Sequence, residues 1–174
     1  DLSLPVGHIG KERFEALLQR RQEMESFEER AFMFSSYAVS PLITYLWLMR
    51  VEPFTTLHID IQSGKFDHAA RQFSSISDTY QMVTGHMNDF RELLPEFFFN
   101  KEFLLNHNEF DLGLANGSQI DQVVLPPWAN NNAMAFIYYH RKALESEICS
   151  ETIHHWIDLI WGVNSNVELN SYDP

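Results

Sequence analysis

The chain predicts a mostly α-helical domain, and three observations carry that expectation. Ile153, Trp156, Ile157, Ile160 and Trp161 follow the i, i+3, i+4, i+7, i+8 rule of an amphipathic helix without a gap. Ser40-Pro41 offers a helix cap followed by a first-turn proline, and the stretch after it, through Met49, is apolar nearly all round. Leu57, Ile59 and Ile61 alternate with His58, Asp60 and Gln62, too short a run to set the fold class.

Taken in order, the lead-in Asp1 to Gly10 is broken by Pro5, Gly7 and Gly10. Lys11 to Glu25 predicts a helix with a narrow stripe of Phe14, Leu17 and Leu18, lying on the surface. The helix starting at Pro41 has no polar side for water, so it belongs at the centre. It should end near Val51, because Glu52 precedes Pro53 and is pushed out of the helical region. Leu57, Ile59 and Ile61 have the period of a strand. Ile76, Tyr80, Val83 and Met87 recur at helical spacing, with Ser75 or Ser77 and Asp78 as starting residues. Pro95 and the asparagines that follow predict short helices and turns, with a tight turn at Asn116-Gly117. Ala133 to Glu147 predicts a helix with Phe136, Ile137, His140, Ala143 and Leu144 on one side. Ser150 is the expected cap of the last helix and Gly162 its end.

The chain has 174 residues, enough for one domain with a real hydrophobic core. Its 14 Phe and 4 Trp predict aromatic packing in the core or at interfaces. A net charge of −12 argues against nucleic acid, whose phosphates need a basic face, and against docking on anionic lipid by charge. One cysteine, Cys149, forms no intrachain disulfide and suits a reducing compartment. The longest apolar run, Pro41 to Met49, is far short of the roughly 20 residues that span a bilayer. The expected location is the cytoplasm, with no direct membrane insertion.

Each group of chemistry-bearing residues also has a plainer role open to it. His154, His155 and Asp158 share one helical turn, but a zinc site needs three or four protein ligands and these have no signature partner. Asp67-His68 can form half of a catalytic relay, yet no Gly-x-Ser-x-Gly elbow or phosphate loop accompanies it. Glu92, Glu96 and Glu102 lie near Phe97, Phe98, Phe99 and Phe103, where carboxylates can do acid–base work or simply cap helices and pair with Arg91. A metal-dependent or carboxylate hydrolase using His68, His154 and His155 is therefore one alternative. A structural subunit of a larger assembly is another.

The blocks EPFTT (Glu52 to Thr56), GKFDH (Gly64 to His68) with Arg71, LLPEFF (Leu93 to Phe98), LPPWA (Leu125 to Ala129), ALES (Ala143 to Ser146) and WIDLIWG (Trp156 to Gly162) occur in one order. Together they resemble the BEACH domain of the Beige and Chediak–Higashi family, the neurobeachin-like scaffold proteins. The resemblance implies helices packed around core segments of irregular backbone, over residues 1–162, with 163–174 as a tail or the start of a following segment. It covers the later part of such a domain; the opening segment, a preceding PH-like domain and following WD40 repeats lie outside it. The stretch Met33 to Val39 aligns with a family block but keeps neither of its histidines, which marks a divergent member.

The resemblance implies a non-enzymatic scaffold with no cofactor, regulating vesicle or lysosome-related membrane traffic and peripheral to membranes through the full-length protein. Its partners would be a PH-like domain and other proteins of trafficking or of a larger assembly. The family-motif residues are Arg50, Glu52, Pro53, Phe54, Gly64, Phe66, Asp67, His68, Arg71, Pro95, Glu96, Phe97, Pro126, Pro127, Trp128, Arg141, Glu145, Ser146, Trp156, Asp158 and Gly162. An irregular core leaves backbone groups that buried charges can satisfy. On that ground Glu52, Asp67, Arg71, Arg141 and Glu145 are expected to be buried, with Arg20 as a solvated contrast. The rival expectation is that they form an exposed docking patch.

Overall fold

The computed structural model describes residues 4–27, 40–115 and 117–160. It is mostly helical, as the sequence predicts: α1 (Lys11–Ser26), α2 (Pro41–Trp47), α3 (Phe54–Ile61), α4 (Ile76–Gly85), α5 (Ala133–Leu144) and α6 (Glu147–Ile160). Between them run irregular segments with single 3-10 turns at Val6–His8, Ala69–Arg71, Pro95–Phe98, Glu102–Leu104 and Pro127–Ala129. The strands are two residues each, β1 (Leu114–Ala115) antiparallel to β2 (Ser118–Gln119). Gly117, at φ +79°, makes the reversal. The chain forms two compact units, one of Asp1–Val39, Gln81–Leu93 and Lys142–Pro174, the other of Ser40–Tyr80 and Leu94–Arg141.

In the second unit the core is aromatic. Trp47 meets Phe73 at 4.6 Å and Phe97 at 5.1 Å between ring centroids, both edge-on, and Phe97 lies 4.9 Å from Phe103. Phe136 of α5 joins through Phe97 at 6.5 Å. Met49, Leu112 and Ile120 form a second cluster, with Phe66, Ala69 and Phe110 against it. The irregular backbone is tied across long sequence distances: Val123 N–H donates to Leu104 O, Val124 N–H to Ser74 O and Ile76 N–H to Val124 O. The first unit packs Leu17 of α1 on Phe90, flanked by Phe14, Leu18 and Met87.

Four local expectations need correction. The segment read as a strand is α3, a helix that buries Thr55 and His58, three residues apart, and leaves Leu57 and Ile61 exposed. The alternation of Leu57, Ile59 and Ile61 therefore had no burial behind it. Ser40 Oγ accepts from Leu42 N–H as expected, but α2 stops at Trp47, and Leu48 to Arg50 are buried in turns. The cap before α6 is Ser146, whose Oγ accepts from Cys149 N–H; Ser150 lies inside the helix. Although α1 is largely exposed, its Arg13 is buried along with Leu17. The expectations for Met33 to Val39, Asn116, Trp161, Gly162 and the tail fall outside the described residues.

Candidate functional site

Two guanidinium groups hold the irregular backbone from inside, one in each unit. Arg50, 2% exposed, donates from Nη1 to Phe73 O at 2.7 Å and from Nε and Nη2 to Asp121 O at 3.1 and 2.9 Å. Burial lowers its pKa to about 10, opposed by Asp121, so it stays a cation at neutral pH. In the other unit Arg13 donates to Gly7 O, to His86 O at 2.9 Å and to Asp89 O at 2.6 Å. A Cβ on Gly7 would sit 2.1 Å from Arg13 Nη1, so a side chain there would push the guanidinium off its carbonyl partners. Glu92 is the buried acid of the same unit. Its carboxylate accepts from Val6 N–H and Leu93 N–H, both at 2.9 Å, and the Trp156 side chain also bonds it. Burial raises its pKa to about 7 against those three donors.

The charges expected to be buried with Arg50 are mostly outside. Glu52, Arg71, Arg141 and Glu145 are exposed and Asp67 is half-buried, which corrects the burial expectation. The reason is geometric. Sequence neighbours of an apolar residue on a helix point away from its face, and Arg141 follows the half-buried His140 around α5. Arg20 is no solvated contrast either: it is half-buried, its guanidinium 5.4 Å from the Phe90 ring centroid.

Most remaining motif residues shape local turns. Glu52 accepts from Thr56 N–H and Oγ1, closing the start of α3 after the cis Glu52–Pro53 bond. Phe54 is half-buried with its ring 6.4 Å from Tyr45. His68 is exposed and its Nδ1 accepts from Ala70 N–H, capping the 3-10 turn that ends at Arg71. Asp67 Oδ1 accepts from His68 N–H and pairs with Arg71. Pro95 opens the turn carrying Glu96 and the buried Phe97. Pro126 is buried and Pro127 exposed before Trp128, which is 49% exposed and stacks on Phe136 at 5.4 Å. Ser146 caps α6, and Trp156 and Asp158 are half-buried.

The elements of the hydrolase alternative stay apart in role. His68 serves as a cap, His154 and His155 are exposed on α6 with rings 3.9 Å apart, and no group of three or more His, Cys, Asp or Glu fit for a metal occurs among the described residues. Arg91 pairs with Asp89 at 2.6 Å, while Glu102 pairs with Lys101 and His107 at 3.0 Å each. No helix among the described residues is long and apolar enough to cross a membrane.

What the second unit does present is a groove of about 410 Å³ built by the GKFDH segment against Asp111 to Gly113. Gly64, at φ +86° with open space where a Cβ would stand, and Gly113, at φ +82°, shape its rims. Lys65, Phe66, Asp67, Gln72 and Asp111 line it. Gln72, 6% exposed, donates from Nε2 to Asp67 O and Leu112 O at 2.7 and 3.0 Å. Beneath Phe66, its ring 5.9 Å away, His58 is fully buried and its Nε2 accepts from Asp67 N–H. Burial lowers the His58 pKa, opposed by Asp67, which keeps the ring neutral. Sequence reasoning singled out the GKFDH wall and missed Gln72, His58 and Asp111; the Asp111-x-Gly113 turn was the one available signal.

The outward face of α5 carries Met134, Tyr138, Tyr139 and Arg141, all exposed, beside Trp128, whose ring meets Tyr139 edge-on at 5.9 Å.

The family model of the Beige/BEACH domain matches residues 1–172. The BEACH domain-containing protein lvsD of Dictyostelium discoideum is 44% identical over 163 residues, 93% of this chain and 6% of that protein. BEACH domain-containing protein B of Arabidopsis thaliana is 42% identical over the same share of each chain. The BEACH domain-containing protein lvsE of Dictyostelium discoideum is 39% identical over 170 residues, 95% of this chain and 8% of that protein. The chain thus spans less than a tenth of the length of these relatives.

Proposed function

Because this chain belongs to the BEACH domain family, we propose that it acts as a non-enzymatic interaction module of a large cytoplasmic scaffold regulating vesicle or lysosome-related membrane traffic. Its partner on the α5 face is a PH-like domain of the same full-length protein. The observation that carries this reading is the solvent-facing cluster of Trp128, Tyr138, Tyr139 and Arg141. Aromatic residues and arginine are the types that concentrate binding energy at interfaces, and Trp128 is held rigid by stacking on Phe136. Copurification of this chain with the PH-like domain, expressed separately, tests it. Tyr139→Glu and Arg141→Glu should lose the partner while melting like the parent chain. Retention of the partner by both variants would overturn the assignment of this face. Redistribution of vesicles in cells carrying either variant tests the trafficking role.

A further inference from the structure

Although α2 is apolar nearly all round, the fold buries only Ile43 and Trp47 of it. Leu42, Tyr45 and Leu46, on its other sides, are half-buried. The Tyr45 ring lies 6.4 Å from Phe54 of α3, and the apolar surface continues along that helix. Phe54, Leu57 and Ile61 stand at i, i+3 and i+7, which puts them on one face, with the exposed Pro53 at the cap. Leu57 is 37% exposed and Ile61 48%, while Thr55 and His58 are turned into the core. Charge beside this stripe has one sign. The exposed Glu52 carboxylate is bonded to Thr56, and the exposed Asp60 follows Thr56 by one turn. Two carboxylates thus run along one edge, and among the described residues neither pairs with a cation. From Pro41 to Gln62 the one Lys or Arg is Arg50, enclosed and donating to backbone carbonyls. Lys65 lines the groove with Ile59, which points across the helix from Leu57 and Ile61.

We propose that the α2–α3 face docks an amphipathic helix of a partner protein, with Lys or Arg along one border of that helix's apolar stripe. Contiguous apolar side chains left outside a core mark contact surfaces. Phe54 to Ile61 spans about 10 Å of helix, the reach of a partner's apolar anchors at i, i+3 or i+4, and i+7. Charge decides among the occupants. A second copy of this chain would bring together two acidic edges on molecules of net charge −12. An anionic lipid surface meets the same repulsion, because such docking uses Lys and Arg clusters. A helix with basic flanks is drawn to the Glu52–Asp60 edge and set in register by it. This face is separate from the Trp128 and α5 cluster, so either assignment can fail while the other holds.

The test is a titration of this chain, its amides followed by NMR, with the capped helical peptide Leu-Lys-Lys-Leu-Leu-Lys-Leu-Leu-Lys-Lys-Leu-Leu-Lys-Leu. Its Glu counterpart and a shuffled Leu/Lys peptide without a helical stripe serve as comparisons. The Lys helix should shift the amides of Leu42 to Leu46 and of Phe54 to Gln62. The Glu helix should bind more weakly at low salt, and the gap should close as salt rises. The shuffled peptide matches the charge without the stripe and should also bind more weakly. Leu57→Gln combined with Ile61→Gln, both at exposed positions, should weaken the Lys helix about tenfold while melting like the parent chain. Asp60→Lys should weaken it about two- to five-fold, and serves alone if the double variant does not fold. Equal binding of the Lys and Glu helices would overturn the basic partner. Equal binding of the shuffled peptide, shifts confined to other residues, or indifference to both variants would each overturn the site. A dimer, or adherence to phosphatidylcholine vesicles, that the double variant loses while the Lys helix leaves these amides unmoved would give the face to a second copy or to lipid and overturn the proposal.

Discussion

Arg50 and Arg141 look alike in the sequence, each set beside apolar residues in a family block, and the structure uses them in opposite ways. Arg50 leaves the end of α2 in a turn and its guanidinium is enclosed, donating to two backbone carbonyls. Arg141 stands on a regular helix whose own backbone is already bonded, and it faces water. The difference teaches where buried charge belongs in such a domain. It goes where irregular backbone has carbonyls to satisfy, because an unbonded buried carbonyl is costly and a regular helix has none to spare.

Predictions sharpen that contrast in descending size. Arg50→Ala strands the carbonyls of Phe73 and Asp121 and should destabilise by about 3–5 kcal/mol, read as loss of a cooperative melt or a large drop in Tm. Arg13→Ala should act similarly on the first unit, so protection from hydrogen exchange should fall at His86 to Asp89. Gly7→Ala, which displaces the Arg13 guanidinium, should cost about 1–3 kcal/mol. Arg141→Ala should stay within about 0.5 kcal/mol of the parent chain. A Tm loss for Arg141→Ala equal to that for Arg50→Ala would dissolve the comparison.

Between these extremes lies a pH effect. His8 is buried against Phe14, and burial with the nearby Arg13 charge lowers its pKa from 6.5 to about 4. The unfolded chain therefore takes up this proton first, so the His8 contribution is intact above pH 6.5 and is lost as pH falls toward 4. The lowered pKa values of His58 and His140 act in the same direction. Glu92 acts oppositely, because its raised pKa makes folding more favourable as pH falls from about 7 to 4.5. As pH falls from 7 to 4.5, the Tm of His8→Phe, which keeps the ring against Phe14, should rise relative to that of the parent chain.

The helices were legible because amphipathic spacing and caps are local signals. α5 and α6 start or stop within a few residues of where the pattern puts them, and the Ser40 cap bonds as expected. The GKFDH segment was legible as a block, and it does line the groove. Burial of single charges was not legible. Arg13 sits in a run of charged residues, Lys11 to Glu25, and is buried only because Gly7 O, His86 O and Asp89 O converge on it. Gln72 likewise gains its role from Leu112, forty positions away. Such roles are set by distant backbone, which no local pattern encodes.

The placement of two indoles gives the second unit its own optical signature. Trp47 lies in an apolar cage of Phe73 and Phe97, whereas Trp128 has one face on Phe136 and the other in water. Trp128 emission is open to collisional quenchers, and Trp47 emission is shielded from them until the cage opens. With Trp156 and Trp161 replaced by Phe, fluorescence can therefore tell occupation of the outer surface from unfolding of the interior, with no label attached.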